Sequence, residues 1–148
     1  MGLLDSTSEE PQSKLRRYIV SGLVLTLLGA AGLWRVFRFH TEKKTTESFF
    51  AALSGGNTEE AYRIWKAQTS YTYQDFLGDW GPTGYYGPVR SFEIQTAQQL
   101  QGASGVVVVV SLSAQSPFPA PTDAEGRRKL KEARLWVERS DQSLSYPP

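Results

Sequence analysis

Tyr18 to Trp34 reads YIVSGLVLTLLGAAGLW, seventeen residues without a charge. As a helix rising about 1.5 Å per residue it measures about 26 Å, slightly under the roughly 30 Å of a bilayer's hydrocarbon. Val36, Phe37 and Phe39 continue the apolar character, and Arg35 and Arg38 have stems long enough to reach the headgroups. Tyr18 and Trp34 stand at the two ends, where amphipathic rings prefer to lie. A buried core helix is the competing reading, but the rest of a 148-residue chain is too small to surround one. The chain therefore divides into a disordered polar tail at 1–17, a transmembrane helix at 18–39 and one folded domain at 41–148.

Two readings of the apolar run stay open. It is an uncleaved anchor, or a signal peptide cut near Gly29, Ala30 and Ala31. Leu33, Trp34 and the basic flank beyond them favour the anchor, and the absence of cysteine excludes a lipoprotein. Orientation divides in the same way. Counting Arg35, Arg38, Lys43 and Lys44 after the run favours a cytoplasmic domain. The tight cluster Lys14, Arg16 and Arg17 directly before it resembles an export signal, and on that feature the domain is expected on the extracytoplasmic side. Gly22, Thr26 and Ala30 recur every four residues and share one helix face, a surface on which another helix could pack closely.

Charge excludes one function class. Residues 41–148 carry eleven basic and twelve acidic groups, so they present no footprint for a phosphate backbone and nucleic acid is not expected as a partner. With no cysteine and a single histidine, His40, neither a thiolate nor a histidine-rich metal site can be built. No metal, cofactor or catalytic residue is assigned.

Beyond the span, Thr41 to Leu53 reads as a helix with Phe49, Phe50 and Leu53 on one face, stopped by Gly55 and Gly56. Asn57 caps a second helix, with Glu60 at capping-box spacing and Ala61, Ile64 and Trp65 inward. A third starts at Thr72, with Asp75 at the same offset and Phe76, Leu77 and Trp80 inward. Gly81 to Pro88 holds three glycines and two prolines and can only be a loop. Strands follow at 89–97, 106–112, 131–139 and 144–146, joined by turns at 101–105 and 140–142 and a long connection over 116–128. The valines 106–110 lack a polar alternation, which predicts a central strand covered on both faces. Helices grouped before strands give an α+β domain, its helices packed on a curved antiparallel sheet.

The run FFAALSGGNTEEAYRIW, an aromatic helix, a small-residue turn and an "AY" helix, resembles the opening of the NTF2-like (cystatin-like, cone-shaped α+β) superfamily. ARLWVERSDQSLSY, a strand, a polar turn and a closing strand, is similar to its ending, so the resemblance covers residues 41–146. It implies a cone in whose interior the superfamily's enzymes place Asp, His and Tyr. Asp75, Asp79 and Glu93 are the carboxylates that could stand there, with Tyr71, Tyr73, Tyr85 and Tyr86 as donors, but no histidine is available. Asp75 and Asp79 lie four apart, at pairing distance on a helix. Asp75 as a cap and Asp79 as a solvated side chain is the plainer account.

Nine aromatic residues fall between positions 62 and 92. Trp65, Phe76, Trp80 and Phe92 are expected in the core. Tyr71, Tyr73, Tyr85 and Tyr86 are the candidate contacts to a partner or ligand, Tyr85 and Tyr86 foremost because loops on a rigid scaffold carry function. The expected function is a non-enzymatic, membrane-tethered interaction domain, an accessory or assembly subunit that meets another membrane protein. A cone binding a small apolar ligand, and a lyase- or isomerase-like enzyme, are the alternatives. The full-length chain should stay with the membrane through an alkaline carbonate wash and leave it only in detergent. A freely soluble, uncleaved chain would contradict the anchor.

Overall fold

Ile19, Leu23, Val24, Leu25, Leu28 and Leu33 project to every side of a helix, and all are exposed. A helix apolar all round needs an apolar surrounding, not one buried stripe. The computed structural model describes residues 12–66 and 68–148. The chain forms two units, Met1–Arg38 and Phe39–Pro148. In the first, helix α1 (Gln12–Phe37) is 26 residues long, about 39 Å, and is long and apolar enough to cross a membrane. The Thr26 hydroxyl donates to the Gly22 carbonyl at 2.8 Å, so this polar group is satisfied inside the helix. The Arg38 guanidinium lies 4.9 Å from the centre of the Trp34 ring. Of the polar tail expected at 1–17, residues 1–11 lie outside the described residues, while Gln12 to Arg17 are helical. Gln, Lys, Leu and Arg propagate a helix well once the apolar run has nucleated it.

The second unit contains α2 (His40–Ser54), α3 (Thr58–Trp65), α4 (Tyr73–Trp80), β1 (Ser91–Gln98), β2 (Gly105–Ser113), α5 (Ala124–Arg128), β3 (Lys131–Glu138) and β4 (Leu144–Ser145). The sheet runs β1-β2-β3-β4 with every neighbour antiparallel, so the fold is α+β. Its boundaries follow local chemistry. Gly56, at φ 77°, closes α2: its N–H donates to Leu53 and that of Asn57 to Ala52, a Schellman ending. The Asn57 side chain accepts from the Glu60 N–H, but Glu60 turns its carboxylate to Arg63, so only half of the expected capping box forms. At α4 the box is complete, with Thr72 and Asp75 each bonding the other's backbone. Short helix α5 went unforeseen within the 116–128 connection; its Asp123 cap accepts from Gly126 N at 2.9 Å.

Val106, Val108, Val110 and Leu112 of β2 and Ala133, Leu135 and Val137 of β3 form one apolar sheet face, and α2 packs across it. Phe49, Phe50, Trp65, Phe76 and Trp80, all at most 3% exposed, fill the space between sheet and helices. Trp80 meets Phe49 edge-on at 5.2 Å, stacks on Tyr86 at 4.4 Å and lies parallel to Tyr146 at 6.2 Å. Several sequence expectations change. Ile64, Leu77 and Phe92 are only half-buried. The other face of β2 is not covered: Val107 and Val109 are half-exposed, flanked by Thr96, Gln98, Arg134 and Trp136. Valine favours any half-buried pleated surface, so a valine run does not by itself require two covered faces.

Glycine controls two close approaches. A Cβ on Gly87 would fall 1.9 Å from the Gly81 carbonyl, and one on Gly105 would fall 2.3 Å from the Trp136 ring that lies across it. Gly78, inside α4, has nothing within 4 Å of such an atom. Gly105→Ala and Gly87→Ala should each cost about 1–3 kcal/mol through overpacking. Gly78→Ala should stabilise by up to about 1 kcal/mol through helix propensity. Thermal unfolding of the three variants checks the sign of each effect.

Candidate functional site

The four candidate tyrosines do not converge. Tyr73, at the start of α4, shares a 2.8 Å hydrogen bond with the Thr58 hydroxyl and braces two helix starts against each other. Tyr86 is half-buried under its stack with Trp80, which with the Tyr85 and Asp79 charges holds its hydroxyl pKa above the ordinary value. Tyr85 is 76% exposed. Tyr71 lines a groove elsewhere in the domain.

The loop carrying Tyr85 and Tyr86 is tied down at every turn. The Tyr85 and Tyr86 N–H groups donate to the Gly78 and Asp79 carbonyls at 3.0 and 2.8 Å, which completes the last turn of α4. From β3, the Lys131 ammonium donates to the Tyr85 carbonyl at 2.8 Å and to the Gly87 carbonyl at 3.2 Å. The result is an exposed ring on an ordered backbone, and such a ring loses little entropy when a partner covers it.

The groove has a volume of about 390 Å3 and is lined by Trp65, Tyr71, Trp136, Glu138, Leu144 and Tyr146, among others. Behind it, Asp79 Oδ2 accepts from the Tyr71 hydroxyl at 2.6 Å and from the Tyr146 hydroxyl at 2.8 Å. Burial, then the bond to the Asp79 carboxylate, holds both phenols well above their ordinary pKa, so they stay protonated as donors. Tyr146 was read from sequence only as the end of the last strand. Nothing local marks it, because its partner Asp79 lies 67 residues away.

The carboxylates considered for acid–base work are engaged separately. Asp75 is an exposed cap whose bonds from Thr72 lower its pKa. Asp79, expected in solvent, instead holds two phenols, and Glu93 is exposed on β1 with Gln95 as its donor. Among the described residues no group of three or more His, Asp or Glu is placed to hold a metal ion. No protein family, curated protein or solved structure matches the chain.

A phenol with a raised native pKa contributes stability that is fully present below the unfolded value near 10 and is lost as pH climbs beyond it. Unfolding free energy should therefore fall above about pH 10, and less steeply in Tyr146→Phe. At neutral pH, Tyr71→Phe and Tyr146→Phe should each cost about 1–2 kcal/mol, the range for a hydrogen bond to a charged group with some solvent access. A double-mutant cycle with Asp79→Asn should show coupling, since all three groups share one network.

Proposed function

We propose that this chain is a single-pass, membrane-anchored, non-enzymatic interaction domain, an accessory or assembly subunit of a membrane complex. In this reading α1 is the anchor, the domain is NTF2-like and it lies on the extracytoplasmic side. Three helices preceding a four-stranded antiparallel sheet support the NTF2-like assignment. The clustered Lys14, Arg16 and Arg17 before the apolar run support the orientation.

The observation that carries the proposal is Tyr85, an exposed aromatic ring on a loop held by backbone bonds and by Lys131. Exposed tyrosine on a rigid support supplies contact area at low entropic cost. A bilayer anchor raises local concentration, so a modest contact suffices. The ligand-cone alternative draws no support from an interior filled by Phe49, Phe50, Phe76 and Trp80. An isomerase-like enzyme draws none from Asp75 and Asp79, which are committed to a cap and to two phenols.

A photo-crosslinking amino acid at position 85, in the full chain in its own membrane, should join it to one membrane protein that also co-purifies in mild detergent. The same group at Glu125, exposed on α5, should give no such adduct. Recovery of the chain alone from both positions would overturn the reading.

A further inference from the structure

The edge of β4 runs along the 390 Å3 groove: Ser143, Leu144, Ser145 and Tyr146 all line it in succession. Strand alternation says which backbone groups face it. The Glu138 N–H donates to the Ser143 carbonyl at 3.0 Å, and Trp136 pairs with Ser145 in the same register. The Ser143 carbonyl and the backbone groups of Ser145 therefore turn towards β3, the Ser143 N–H donates to Asp141 Oδ1 at 2.9 Å, and the N–H and C=O of Leu144 and the N–H of Tyr146 turn away from β3. Among the described residues no hydrogen bond from outside the sheet reaches these outward groups, and no strand lies beyond β4.

Side chains on the two faces of this edge differ in chemistry. On the core face stand Trp65, Tyr71 and Tyr146, with Trp65 stacked on Tyr71 at 5.9 Å and edge-on to Tyr146 at 5.4 Å. On the outer face the Trp136 indole N–H lies 3.4 Å from a Glu138 carboxylate oxygen. Asp141 lines the groove as well. Hydroxyl bonds from Ser104 and Ser143 lower the pKa of Glu138 and Asp141 respectively, keeping both as anions. The one lysine on the groove, Lys66, already donates to the Asp141 carbonyl.

We propose that this edge docks an extended segment of a partner protein as a fifth strand, with an apolar residue towards Trp65 and Tyr71 and flanking arginine or lysine residues towards Trp136 and Glu138. Backbone bonds to Leu144 and Tyr146 supply register, as in β-augmentation. Because side chains alternate, a basic–apolar–basic pattern places its charges on the face that holds the carboxylate and the indole. Guanidinium suits that pair best, since it both stacks on an aromatic ring and forks to a carboxylate. The strand is short and so is the bonded segment, which fits a contact made between molecules sharing one membrane. The proposal rests on the interaction-domain reading and names its partner class.

The test uses the full-length chain in phosphatidylcholine nanodiscs and the labelled peptide acetyl-Thr-Arg-Val-Arg-Thr-amide. Fluorescence anisotropy should show saturable binding tighter than about 1 mM, a free energy of about −4 kcal/mol. Replacing both arginines by glutamate, or N-methylating the valine, should weaken binding at least about tenfold, because the first sets like charges beside Glu138 and Asp141 and the second removes a backbone donor. Glu138→Gln, a change on the outer sheet face that leaves the core intact, should weaken the arginine peptide about three- to tenfold and leave a glutamine version unaffected. Equal binding of the N-methylated peptide, indifference to charge, or no saturation would overturn the proposal. So would a disulfide-linked homodimer formed by Ser145→Cys, which would mean that the edge pairs with a second copy. A partner captured from position 85 together with a silent peptide would sink this edge alone and leave the interaction domain standing.

Discussion

One apolar sheet face must be covered, and only a handful of large side chains are available to cover it. β2 and β3 present Val106, Val108, Val110, Leu112, Ala133, Leu135 and Val137 on the same side. Leaving that surface in water would cost on the order of 25 cal/mol per Å2 of apolar area. Phe49 and Phe50 of α2, Trp65 of α3 and Phe76 and Trp80 of α4 meet there and pack as rings, edge to face or tilted. Trp80 bears the closest packing, and its buried indole N–H has no partner among the described residues. Ring contacts on several sides offset that loss.

From this core the polar ties radiate. Asp79 fastens the end of the chain at Tyr146 to the helical layer through one carboxylate oxygen shared by two phenols. The β3–β4 turn is held from two helices. The largely buried Glu42 pairs with Arg139 at 3.1 Å, the Thr45 hydroxyl donates to Gln142 at 2.9 Å, and Lys66 reaches the Asp141 carbonyl. Removing one partner of a pair such as Glu42 and Arg139 leaves a buried charge uncompensated, so the turn is held by necessity as well as by attraction. These ties stiffen what borders the groove and the loop. Surfaces that recognise a partner need that rigidity, because ordering them on contact would consume the binding free energy.

Polar residues that resemble catalytic groups in the sequence have structural duties in the fold. Asp75 supplies a helix start, Asp79 a tether and Tyr73 a brace between α3 and α4. Aromatic and backbone groups stand among the accessible ones: Tyr85 on its loop, the half-exposed Trp136 on the open sheet face, and the outward groups of β4. Such groups suit contact with surfaces and extended chains, in keeping with the proposed interaction domain.

Features governed by neighbours in sequence were legible without coordinates. An uncharged run of seventeen residues declares its preference for lipid by composition alone. Thr72 with Asp75 declares a helix start, Gly55 with Gly56 a stop, and alternation at Ala133, Leu135 and Val137 a strand with one buried face. Features that join distant positions were decided only in three dimensions. Asp79 finds Tyr146, Glu42 finds Arg139, Trp136 lies over Gly105, and the edge of β4 comes to border Trp65 and Tyr71. Local patterns follow from backbone sterics and the period of a helix or strand, which each short segment carries within itself. Long-range pairs follow from how several such segments share one core, and no segment contains that information alone.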